Sequence, residues 1–356
     1  MEHKSVLIGM SGGVDSSVAA ALLKEQGYHV IGATMRLWTY SDSCNMKHEG
    51  CCAESAVEDA RRVCDKLGID FYVMNFKDMF KDKVVDYFVD EYIHGRTPNP
   101  CIACNKYLKF DALLKKALAM GIDYVATGHY AKIEKGEDGK YILRASEAVK
   151  KDQSYVLYNF TQEQLAHTLM PLGGYNKDWV RQKAEELGLG VAHKPDSQEI
   201  CFVEDDDYAK FITDYSGYKP KEGDILDVNG NVIGKHRGLI YYTIGQRKGI
   251  GAYGRPMFVM KIDAENNTIT LGEKGMEFSN ELTAYDVNFV SGEFPKENML
   301  ITAKVRYQAP PAAAMLCPQK DGTVKLMFPE PQRAVTPGQA VVFYDGDIVL
   351  GGGTVL

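Results

Sequence analysis

A glycine-rich turn joins a strand pattern to a helix pattern near the start of the chain. Residues 9–17 read Gly-Met-Ser-Gly-Gly-Val-Asp-Ser-Ser, directly after the apolar run at residues 5–8 and before a helical pattern. The first turn of a helix has unpaired N–H groups and the positive end of the helix dipole, and Gly12 and Gly13 let an anion approach the backbone without an intervening Cβ atom. Ser16 and Ser17 add hydroxyl donors. The segment predicts a phosphate-binding loop; the alternative is an ordinary tight turn between strand and helix.

The order of residues in this loop favours one kind of nucleotide chemistry. A Walker A loop has a lysine before its Ser/Thr to reach the outer phosphates, whereas this loop has Asp15 in that place. A carboxylate suits Mg²⁺ and not phosphate. A loop that holds pyrophosphate through backbone amides and hydroxyls, beside a magnesium carboxylate, fits cleavage between the α and β phosphates of ATP better than γ-phosphoryl transfer. We therefore predict adenylation with ATP and Mg²⁺.

The first half of the chain alternates between strand and helix patterns. Strands are predicted at residues 6–8, 29–35, 70–75 and 123–126, and helices at residues 16–26, 53–67, 106–120, 162–169 and 177–187, with a further helix running through Tyr92. This alternation predicts an α/β doubly wound parallel sheet, which binds ligands at the carboxyl ends of its strands. Met35 ends one predicted strand and Gly128 follows another, so we expect both to border the nucleotide. The alternative for Met35 is a core methionine.

The pattern changes after residue 210. Short β-type runs are separated there by residue pairs typical of hairpin turns, and helical periodicity ends. These pairs are Asn229-Gly230, Asn266-Asn267, Asp321-Gly322 and Asp345-Gly346. The spacing alone predicts an all-β second half, divided by a turn-rich stretch at residues 273–280.

Composition and charge limit the class of protein. The 356 residues are 45% hydrophobic and 25% charged, as expected for a globular protein of two or three domains. The absence of a signal-type apolar stretch and of any bilayer-length run predicts a cytoplasmic protein without a membrane segment. Eight cysteines are too sparse and irregular for a secreted disulfide framework. The net charge of −7 disfavours indiscriminate nucleic-acid binding but allows a local basic face for a selective partner.

Cys104 is the first candidate nucleophile. It precedes the helical pattern at residues 105–120, where the helix dipole and nearby Lys106 and Lys109 are expected to lower a thiol pKa. The alternative is a small buried apolar side chain. Cys201 follows the polar stretch at residues 196–199, which does not have the character of a core segment.

Several ordered motifs resemble one known family. Residues 11–16, Ser-Gly-Gly-Val-Asp-Ser, resemble the PP-loop signature of the ATP pyrophosphatases, whose fold is adenine nucleotide α-hydrolase-like. Further stretches are similar, in the same order, to the bacterial tRNA-specific 2-thiouridylase family. They lie at residues 95–106, 126–130, 151–155, 196–202, 243–249, 306–307 and 335–339. The resemblance covers nearly the whole chain, and eight motifs in order are highly specific.

The resemblance implies a fold and an activity. It implies a PP-loop catalytic domain at residues 1–210, a small central β-rich domain at 211–280 and a C-terminal β-barrel at 281–356, with the later domains holding tRNA. The implied activity is ATP-dependent 2-thiolation of the wobble uridine of tRNA, with release of AMP and pyrophosphate. A persulfide on Cys201 delivers the sulfur, and Cys104 assists its release through a transient disulfide or free hydrosulfide. The implied partners are tRNA and either a cysteine desulfurase or a sulfur-relay protein.

The resemblance also implies which residues bind the nucleotide and the RNA. The nucleotide residues are Gly9, Met10, Ser11, Gly12, Gly13, Val14, Asp15, Ser16, Met35 and Gly128. The tRNA-binding residues are Asn99, Pro100, Cys101, His129, Lys151, Asp152, Gln153, Arg306, Tyr307 and Gln339. Arg306 and Tyr307 also pair a guanidinium with an aromatic ring, a combination that stacks on bases. Without the resemblance, the local sequence at Asn99 and Pro100 predicts a turn. For His129, the alternatives to RNA contact are a catalytic role and a buried, hydrogen-bonded core histidine.

Cys101 is a departure from the family pattern. Many family members have aspartate there, whereas this chain has a C-x-x-C spacing from Cys101 to Cys104. Three interpretations remain open: a redox pair, one side of a metal or iron–sulfur site completed by Cys201, or a replacement of a base-contacting residue. Replacement of a base-contacting residue is favoured over an iron–sulfur cluster. Iron analysis of anaerobically purified protein distinguishes these two interpretations.

Two other functions compete with sulfur transfer. A PP-loop amide ligase or synthetase uses ammonia or an amino acid and has no need of the two thiols. A noncatalytic nucleotide-sensing RNA-binding module would retain the loop without turnover, and RNA-dependent release of AMP distinguishes the enzyme from it.

Overall fold

The first strand is apolar at successive positions because both faces of its sheet are covered. The computed structural model describes residues 4–38, 54–148, 151–196, 200–203 and 206–356. In strand β1 (Ser5–Gly9), Val6 and Ile8 pack into one hydrophobic cluster and Leu7 packs into another on the opposite face. This strand therefore lies at the centre of the N-terminal domain.

The N-terminal sheet has five parallel strands. They are β1, β2 (His29–Arg36), β3 (Asp70–Asn75), β4 (Tyr124–Ala126) and β7 (Thr168–Leu169), with a separate hairpin of β5 (Ala131–Lys135) and β6 (Tyr141–Ala145) between the last two. Their order in the sheet is β3-β2-β1-β4-β7, and every neighbouring pair is parallel. The predicted strands at residues 6–8, 29–35, 70–75 and 123–126 are confirmed.

Helices cover both faces of this sheet. The helices are α1 (Val14–Glu25), α2 (Glu54–Leu67), α3 (Lys77–Phe80), α4 (Tyr87–Ile93), α5 (Pro100–Ala103), α6 (Leu113–Ala119), α7 (Gln162–Ala166), α8 (Lys177–Glu186) and α9 (Tyr208–Ser216). π-Helical turns at Lys81–Asp86 and Cys104–Ala112 join α3 to α4 and α5 to α6, and short 3₁₀ turns lie at Ser154–Leu157 and Leu239–Tyr241. Val18, Val63 and Val180 come from α1, α2 and α8 on one face, whereas Phe88 and Leu108 lie on the other. The doubly wound sheet is thus confirmed.

The central domain is a small sheet of mixed direction. Its strands are β8 (Gly223–Leu226), β9 (Val232–His236), β10 (Met257–Asp263) and β11 (Thr268–Glu273), in the order β10-β11-β8-β9. Only the β11–β8 pair is parallel. Val259, Ile269 and Leu271 are fully buried and form the centre of its own core.

Six C-terminal strands form a closed barrel. They are β12 (Phe278–Phe289), β13 (Met299–Lys304), β14 (Ala312–Pro318), β15 (Val324–Arg333), β16 (Ala340–Asp345) and β17 (Ile348–Val355). The order β12-β15-β14-β13-β16-β17 closes because β12 also pairs with β17. The hairpin β5–β6 of the N-terminal domain extends this sheet by pairing with β17. The predicted C-terminal barrel is confirmed, and the N-terminal domain contributes two strands beside it.

The structure corrects four local expectations. The helix predicted at residues 162–169 ends at Ala166, because Thr168 and Leu169 pair with β4 as an edge strand. Helical structure continues beyond residue 210 in α9, whose last residue, Ser216, is followed by Gly217 in the left-handed conformation. The hairpin β5–β6 was not predicted, although Asp138-Gly139 is a typical hairpin turn. The helix predicted to begin at residue 105 or 106 begins at Pro100.

The four predicted turn pairs after residue 210 are confirmed. Each lies between two consecutive antiparallel strands: β8 and β9, β10 and β11, β14 and β15, and β16 and β17. None of the helices within the described ranges is both long and apolar enough to cross a membrane.

Candidate active site

The glycine-rich loop lies between β1 and α1, where an anion-binding site was expected. Gly13 is the residue before the helix and has an extended conformation, and no side chain among the described residues caps the helix there. The Ser11 amide instead donates to Ser16 Oγ at 3.2 Å, and Ser17 Oγ donates to the Gly13 carbonyl at 2.8 Å. The hydroxyls thus shape the loop, while the first turn of α1 keeps backbone donors for a negatively charged ligand. A nucleotide phosphate fits this cradle.

Gly12 is required by the geometry of the loop. Its φ is +71°, and a Cβ atom would lie 2.2 Å from the Ala56 carbonyl oxygen on α2. The Gly12 carbonyl accepts a hydrogen bond from Lys194 Nζ at 3.1 Å, and the same ammonium lies 2.9 Å from Asp59 of α2. The loop is therefore pressed against α2 and held there by a lysine from the far end of the domain.

Asp15, the expected magnesium ligand, is paired with a lysine. Lys177 Nζ lies 2.7 Å from Oδ1 and 2.8 Å from Oδ2 of Asp15, and the Tyr130 hydroxyl donates to Oδ1 at 2.7 Å. Burial, followed by the charge of Asp15, raises the pKa of Tyr130, so its hydroxyl donates as a neutral phenol. An ammonium on both carboxylate oxygens takes the place that a divalent cation would need. Protein donors thus engage both oxygens of Asp15 in this structure, and its role as a Mg²⁺ ligand stays a prediction.

Lys177 belongs to a cluster of charges that sequence reasoning missed. Asp196 accepts contacts from Lys177 at 2.7 Å, from Lys151 at 2.6 Å and from Arg181 at 3.3 Å. Burial would raise the pKa of Asp196, but hydrogen bonds from Lys151 and Lys177 outweigh it and hold the pKa below its usual value. Lys177 is separated from Asp15 by 162 positions. No local pattern in the sequence indicates this pairing.

The two strand-end residues that were expected at the nucleotide differ in their surroundings. Gly128 follows β4, and a Cβ atom there would lie 2.7 Å from the Ser16 amide nitrogen and 2.8 Å from the Asp15 carbonyl carbon. It therefore touches the backbone of the first turn of α1. Met35, on β2, is half-buried and packs against the core on the opposite face from α1. The structure thus places Gly128 against the loop. Met35 has the packing of a core methionine, and its contact with a nucleotide stays a prediction. Met10 and Val14 are buried, and Gly9 ends β1.

Cys104 lies inside a helix and not at its start. Asn99 caps the helix by accepting a hydrogen bond from the Cys101 amide at 3.1 Å, and Pro100 is the first helical residue. Cys101 is exposed in the first turn, whereas Cys104 is buried one turn later. The expectation that Cys104 has the helix N-terminus next to it is therefore wrong, because the helix begins four residues earlier.

The two lysines expected to lower the Cys104 pKa also interact with other groups. Lys106 Nζ lies 2.8 Å from Asp286 of the barrel. Lys109 lies close enough to His129 for its charge to lower the pKa of that imidazole. These contacts place the helix between the barrel and the strand-end residues of the sheet.

Cys201 packs against the same hydrophobic cluster that contains Cys104. Cys201 is half-buried, and the neighbouring Phe202 is buried among aromatic rings that include Phe88 at 5.3 Å. The polar residues 197–199 that precede it lie outside the described residues. The two candidate thiols are far apart in the sequence, but both contact the same hydrophobic cluster.

Among the described residues, no group of three or more His, Cys, Asp or Glu side chains is placed to hold a metal ion. The interpretation of Cys101, Cys104 and Cys201 as an iron–sulfur site therefore gains no support here and stays untested.

The segment at residues 151–153 links the loop to the barrel. Gln153 Oε1 accepts from the Tyr130 amide at 3.0 Å, next to the Tyr130 hydroxyl that contacts Asp15. The Asp152 carbonyl accepts from the Tyr307 hydroxyl at 3.1 Å. Burial, followed by the charges of Asp152 and Cys101, raises the pKa of Tyr307. Four of the expected RNA residues, Cys101, Asp152, Gln153 and Tyr307, are therefore brought together.

The remaining expected RNA residues make protein contacts. Gln339 Nε2 donates to the Thr97 carbonyl at 2.8 Å, and the Thr97 amide donates to the Pro337 carbonyl at 2.9 Å. Arg306 donates to the Arg333 carbonyl at 3.2 Å, within the barrel. His129 Nδ1 lies 2.7 Å from Thr127 Oγ1, and its ring lies 5.8 Å from that of Phe110. Arg306 precedes Tyr307 in the chain and lies close enough to Tyr155 for its charge to act on that phenol.

Together, the parallel sheet and its uncapped glycine loop define a PP-loop-type nucleotide-binding domain, followed by a small β domain and a β-barrel. Family models match all three parts: residues 4–205 match one described as a tRNA methyl transferase HUP domain, residues 209–273 a tRNA methyl transferase PRC-barrel domain, and residues 279–355 an aminomethyltransferase beta-barrel domain. Two curated tRNA-specific 2-thiouridylases are 58–59% identical to this chain over 99–100% of its length, so the chain belongs to the tRNA-specific 2-thiouridylase family. The domain boundaries at residues 210 and 280 stay predictions.

Curated relatives share this assignment along their whole length. The tRNA-specific 2-thiouridylase MnmA of Acetivibrio thermocellus is 59% identical over 100% of this chain and 100% of its own. That of Clostridioides difficile is 58% identical over 99% of this chain and 98% of its own. Among solved structures, a 4-thiouridine synthetase–RNA complex with bound ATP is 18% identical, covers 56% of this chain and 45% of that chain, and has a TM-score of 0.37, which is too weak a likeness to add to the assignment.

Proposed function

We propose that this chain is a cytoplasmic ATP-dependent sulfurtransferase that makes 2-thiouridine at the wobble position of tRNA. One observation carries the proposal: the consecutive residues Gly128 and His129 join the nucleotide loop to the thiol-bearing helix. Gly128 touches Asp15 and Ser16 of the loop, and His129 lies against Phe110, six residues beyond Cys104. A nucleotide in the loop and a base beside Cys104 would thus be neighbours. The full-length similarity to curated 2-thiouridylases supports the choice of substrate.

The first step of the proposed reaction is adenylation. The O2 oxygen of the uracil attacks the α-phosphorus of ATP, the bond to the β-phosphate oxygen breaks, and pyrophosphate leaves. Backbone amides of the first turn of α1 and the hydroxyls of Ser11 and Ser16 hold the phosphates. The other residues of the proposed nucleotide site are Gly9, Met10, Gly12, Gly13, Val14, Asp15, Met35 and Gly128. The binding of Mg²⁺ by Asp15 stays a prediction, and no step is assigned to it.

The second step replaces the activated oxygen with sulfur. A persulfide on Cys201, supplied by a cysteine desulfurase or a relay protein, attacks C2 through its terminal sulfur, loses its proton to solvent, and AMP departs. The Cys104 thiolate then attacks the inner sulfur of Cys201, so that the sulfur–sulfur electron pair goes to the uridine and a Cys201–Cys104 disulfide remains. A thiol reductant restores the two cysteines. In the variant of this scheme, Cys104 first releases hydrosulfide, which attacks C2.

The RNA side of the proposal requires the uridine to leave its stack. A base in a tRNA loop reaches an enclosed pocket when it is turned out, and the pocket then holds it by hydrogen bonds and stacking. We assign this role to Asn99, Pro100, Cys101, His129, Lys151, Asp152, Gln153, Arg306, Tyr307 and Gln339. The contact between Tyr307 and Asp152 supports the choice, because it joins an aromatic ring of the barrel to the segment at residues 151–153.

Incubation with ATP, a persulfide donor and unmodified tRNA tests the function. We expect thiolated tRNA and AMP in equal amounts, detected by mass spectrometry of nucleosides and by nucleotide chromatography. Cys104→Ser and Cys201→Ser should each abolish turnover while ATP binding persists, whereas Cys317→Ser, on barrel strand β14, should not. Formation of ADP, or of thiolated tRNA without AMP, would contradict the proposal.

A further inference from the structure

The nucleotide loop has no lysine of its own, but the fold brings two lysines to it: Lys194 donates to the Gly12 carbonyl, and Lys177 contacts the first turn of α1. Lys177 Nζ contacts both oxygens of Asp15, the second residue of α1, at 2.7 and 2.8 Å. The side chain is only 12% exposed, so its charge is weakly screened by solvent. Lys177 therefore lies beside the helix end at which the proposed function places the phosphates of ATP, and the inference rests on that function.

The position of Lys177 in its own helix is electrostatically unfavourable. It is the first residue of α8, whose N-cap Asn176 accepts a hydrogen bond from the Trp179 amide at 2.9 Å. A cation near a helix N-terminus opposes the helix dipole. The carboxylates of Asp15 and Asp196 offset this cost, since they lie on either side of the ammonium. Local helix stability therefore does not account for a lysine at this position.

The surrounding charges let Lys177 change partners. An ammonium has three donors, and Asp15 and Asp196 engage them through three oxygens at 2.7 to 2.8 Å. Asp196 also has Lys151 at 2.6 Å and Arg181 at 3.3 Å, and Asp15 also has the Tyr130 hydroxyl. Each carboxylate thus keeps a donor when Lys177 gives one of its own to an incoming phosphate. Three cations face two carboxylates here, which leaves the cluster with an excess positive charge beside the loop.

We propose that Lys177 is the triphosphate-binding cation of this nucleotide site, held between Asp15 and Asp196 until the phosphates take over part of its hydrogen bonding. It neutralises the charge of the β- and γ-phosphates and that of the departing pyrophosphate. The same ammonium shields these anions from Asp15, whose uncompensated charge would repel them.

Calorimetric titration of the full chain with ATP, pyrophosphate and AMP tests this role. Lys177→Met should weaken ATP and pyrophosphate binding by about tenfold or more, the loss expected for one charge-assisted hydrogen bond. AMP binding should change much less, because AMP lacks the two outer phosphates. Lys177→Arg should retain part of the affinity. Lys183→Met is the matched control, since Lys183 lies on the same helix and pairs with Glu25 of α1 at 2.9 Å, and it should bind all three ligands as the wild type does.

Asp196→Asn should not weaken ATP binding, in contrast to Lys177→Met. Removing one carboxylate that competes for Lys177 should leave ATP binding at least as tight as in the wild type. An equal loss of ATP and AMP affinity in Lys177→Met, or equal weakening of ATP binding in Lys177→Met and Asp196→Asn, would assign Lys177 a merely structural role and overturn the proposal. Wild-type ATP affinity in Lys177→Met would overturn it too but leave the proposed function standing. Failure of the wild type to bind ATP would overturn both.

Discussion

Gly128 shows how closely the sheet approaches the nucleotide loop. A Cβ atom at this position would lie 2.7 Å from the Ser16 amide nitrogen and 2.8 Å from the Asp15 carbonyl carbon, and both of these are backbone atoms. Backbone cannot rotate away as a side-chain end can, so the first turn of α1 would have to shift. The requirement for glycine here is steric and applies with or without a nucleotide.

We predict that Gly128→Ala weakens ATP binding and lowers the unfolding temperature. The expected destabilisation is about 1–3 kcal/mol, the usual cost of overpacking a close contact. Gly174→Ala is the control, because nothing lies within 4 Å of a Cβ atom there. Calorimetric titration and thermal denaturation measure the two effects; equal ATP affinity in Gly128→Ala and the wild type would contradict the assigned contact.

His129 is held neutral by its surroundings. Enclosure by the protein, followed by the charge of Lys109, lowers the pKa of His129 well below its usual value. In the unfolded chain a histidine titrates near pH 6.5. Below about pH 6.5, His129 binds a proton in the unfolded chain but stays neutral in the folded protein. The contribution of His129 to stability is therefore present above that pH and is lost as the pH falls.

We predict that His129→Gln reduces the pH dependence of stability between about pH 5 and 6.5. The slope of the free energy of unfolding should fall by up to about 1.4 kcal/mol per pH unit, the value for one proton. Asp196 titrates below this window, because its folded pKa is lowered, and does not obscure it. Urea denaturation at several pH values measures the slope, and identical slopes in the two proteins would contradict the prediction.

At the scale of elements, the turn before the cysteine-bearing helix is held by both β domains. Gly95 would place a Cβ atom 2.6 Å from Ile262 of central strand β10. Thr97 exchanges hydrogen bonds with Pro337 and Gln339 of the barrel. Glu91 of α4, which is buried, pairs with Arg96 through two hydrogen bonds. Contacts with the central domain, the barrel and helix α4 thus fix the turn. Because the turn precedes the helix, it also sets the positions of Cys101 and Cys104.

We predict that Gln339→Ala raises the alkylation rate of Cys104 in the absence of RNA. Loss of the hydrogen bond to Thr97 removes about 1 kcal/mol of restraint, which corresponds to roughly fivefold faster opening of the buried thiol. Gln319→Ala is the matched control, since its amide donates to the Cys317 carbonyl within the barrel. Mass spectrometry of iodoacetamide-treated protein gives the rates. An unchanged rate would instead indicate that Gln339 acts through RNA alone.

At the scale of the whole molecule, the N-terminal domain and the barrel share one hydrophobic core. Ala340, Val342 and Tyr344 of strand β16 belong to the cluster that also contains Phe88 and Cys104. The Tyr155 hydroxyl donates to the Ala340 carbonyl at 2.7 Å, and β6 pairs with β17. A shared core of this kind predicts that the two domains unfold together.

Tryptophan fluorescence reports this coupling because both tryptophans, Trp38 and Trp179, precede the β domains. We predict that Val342→Ala, in the barrel, shifts the fluorescence-detected transition by about 2 kcal/mol, the cost of a small core cavity. Val259→Ala is the control: it removes an equally buried valine from the separate core of the central domain and should shift this transition less. A transition unchanged by Val342→Ala would show that the domains unfold independently.

Local patterns were sufficient to predict the parts of this protein that depend on neighbouring residues. The loop at residues 9–17, the strands of the first sheet and the four turn pairs of the β half follow from short-range rules, since glycine, alternation and turn chemistry act within a few residues. The same rules do not locate the start of the helix that contains Cys104, because an Asn-Pro pair is typical of a turn and also of a capped helix with proline at its first position.

The charges around the glycine-rich loop and the surroundings of the two thiols depend on contacts between distant parts of the chain. Lys177 reaches Asp15 across 162 positions and Gln339 reaches Thr97 across 242. Such pairs have no sequence signal, because a hydrogen bond needs only proximity of two polar groups and not a spacing along the chain. Local sequence therefore suffices to predict a glycine-rich loop between strand and helix and two candidate thiols. The partners of Asp15 and the packing of Cys104 with barrel residues depend on the fold.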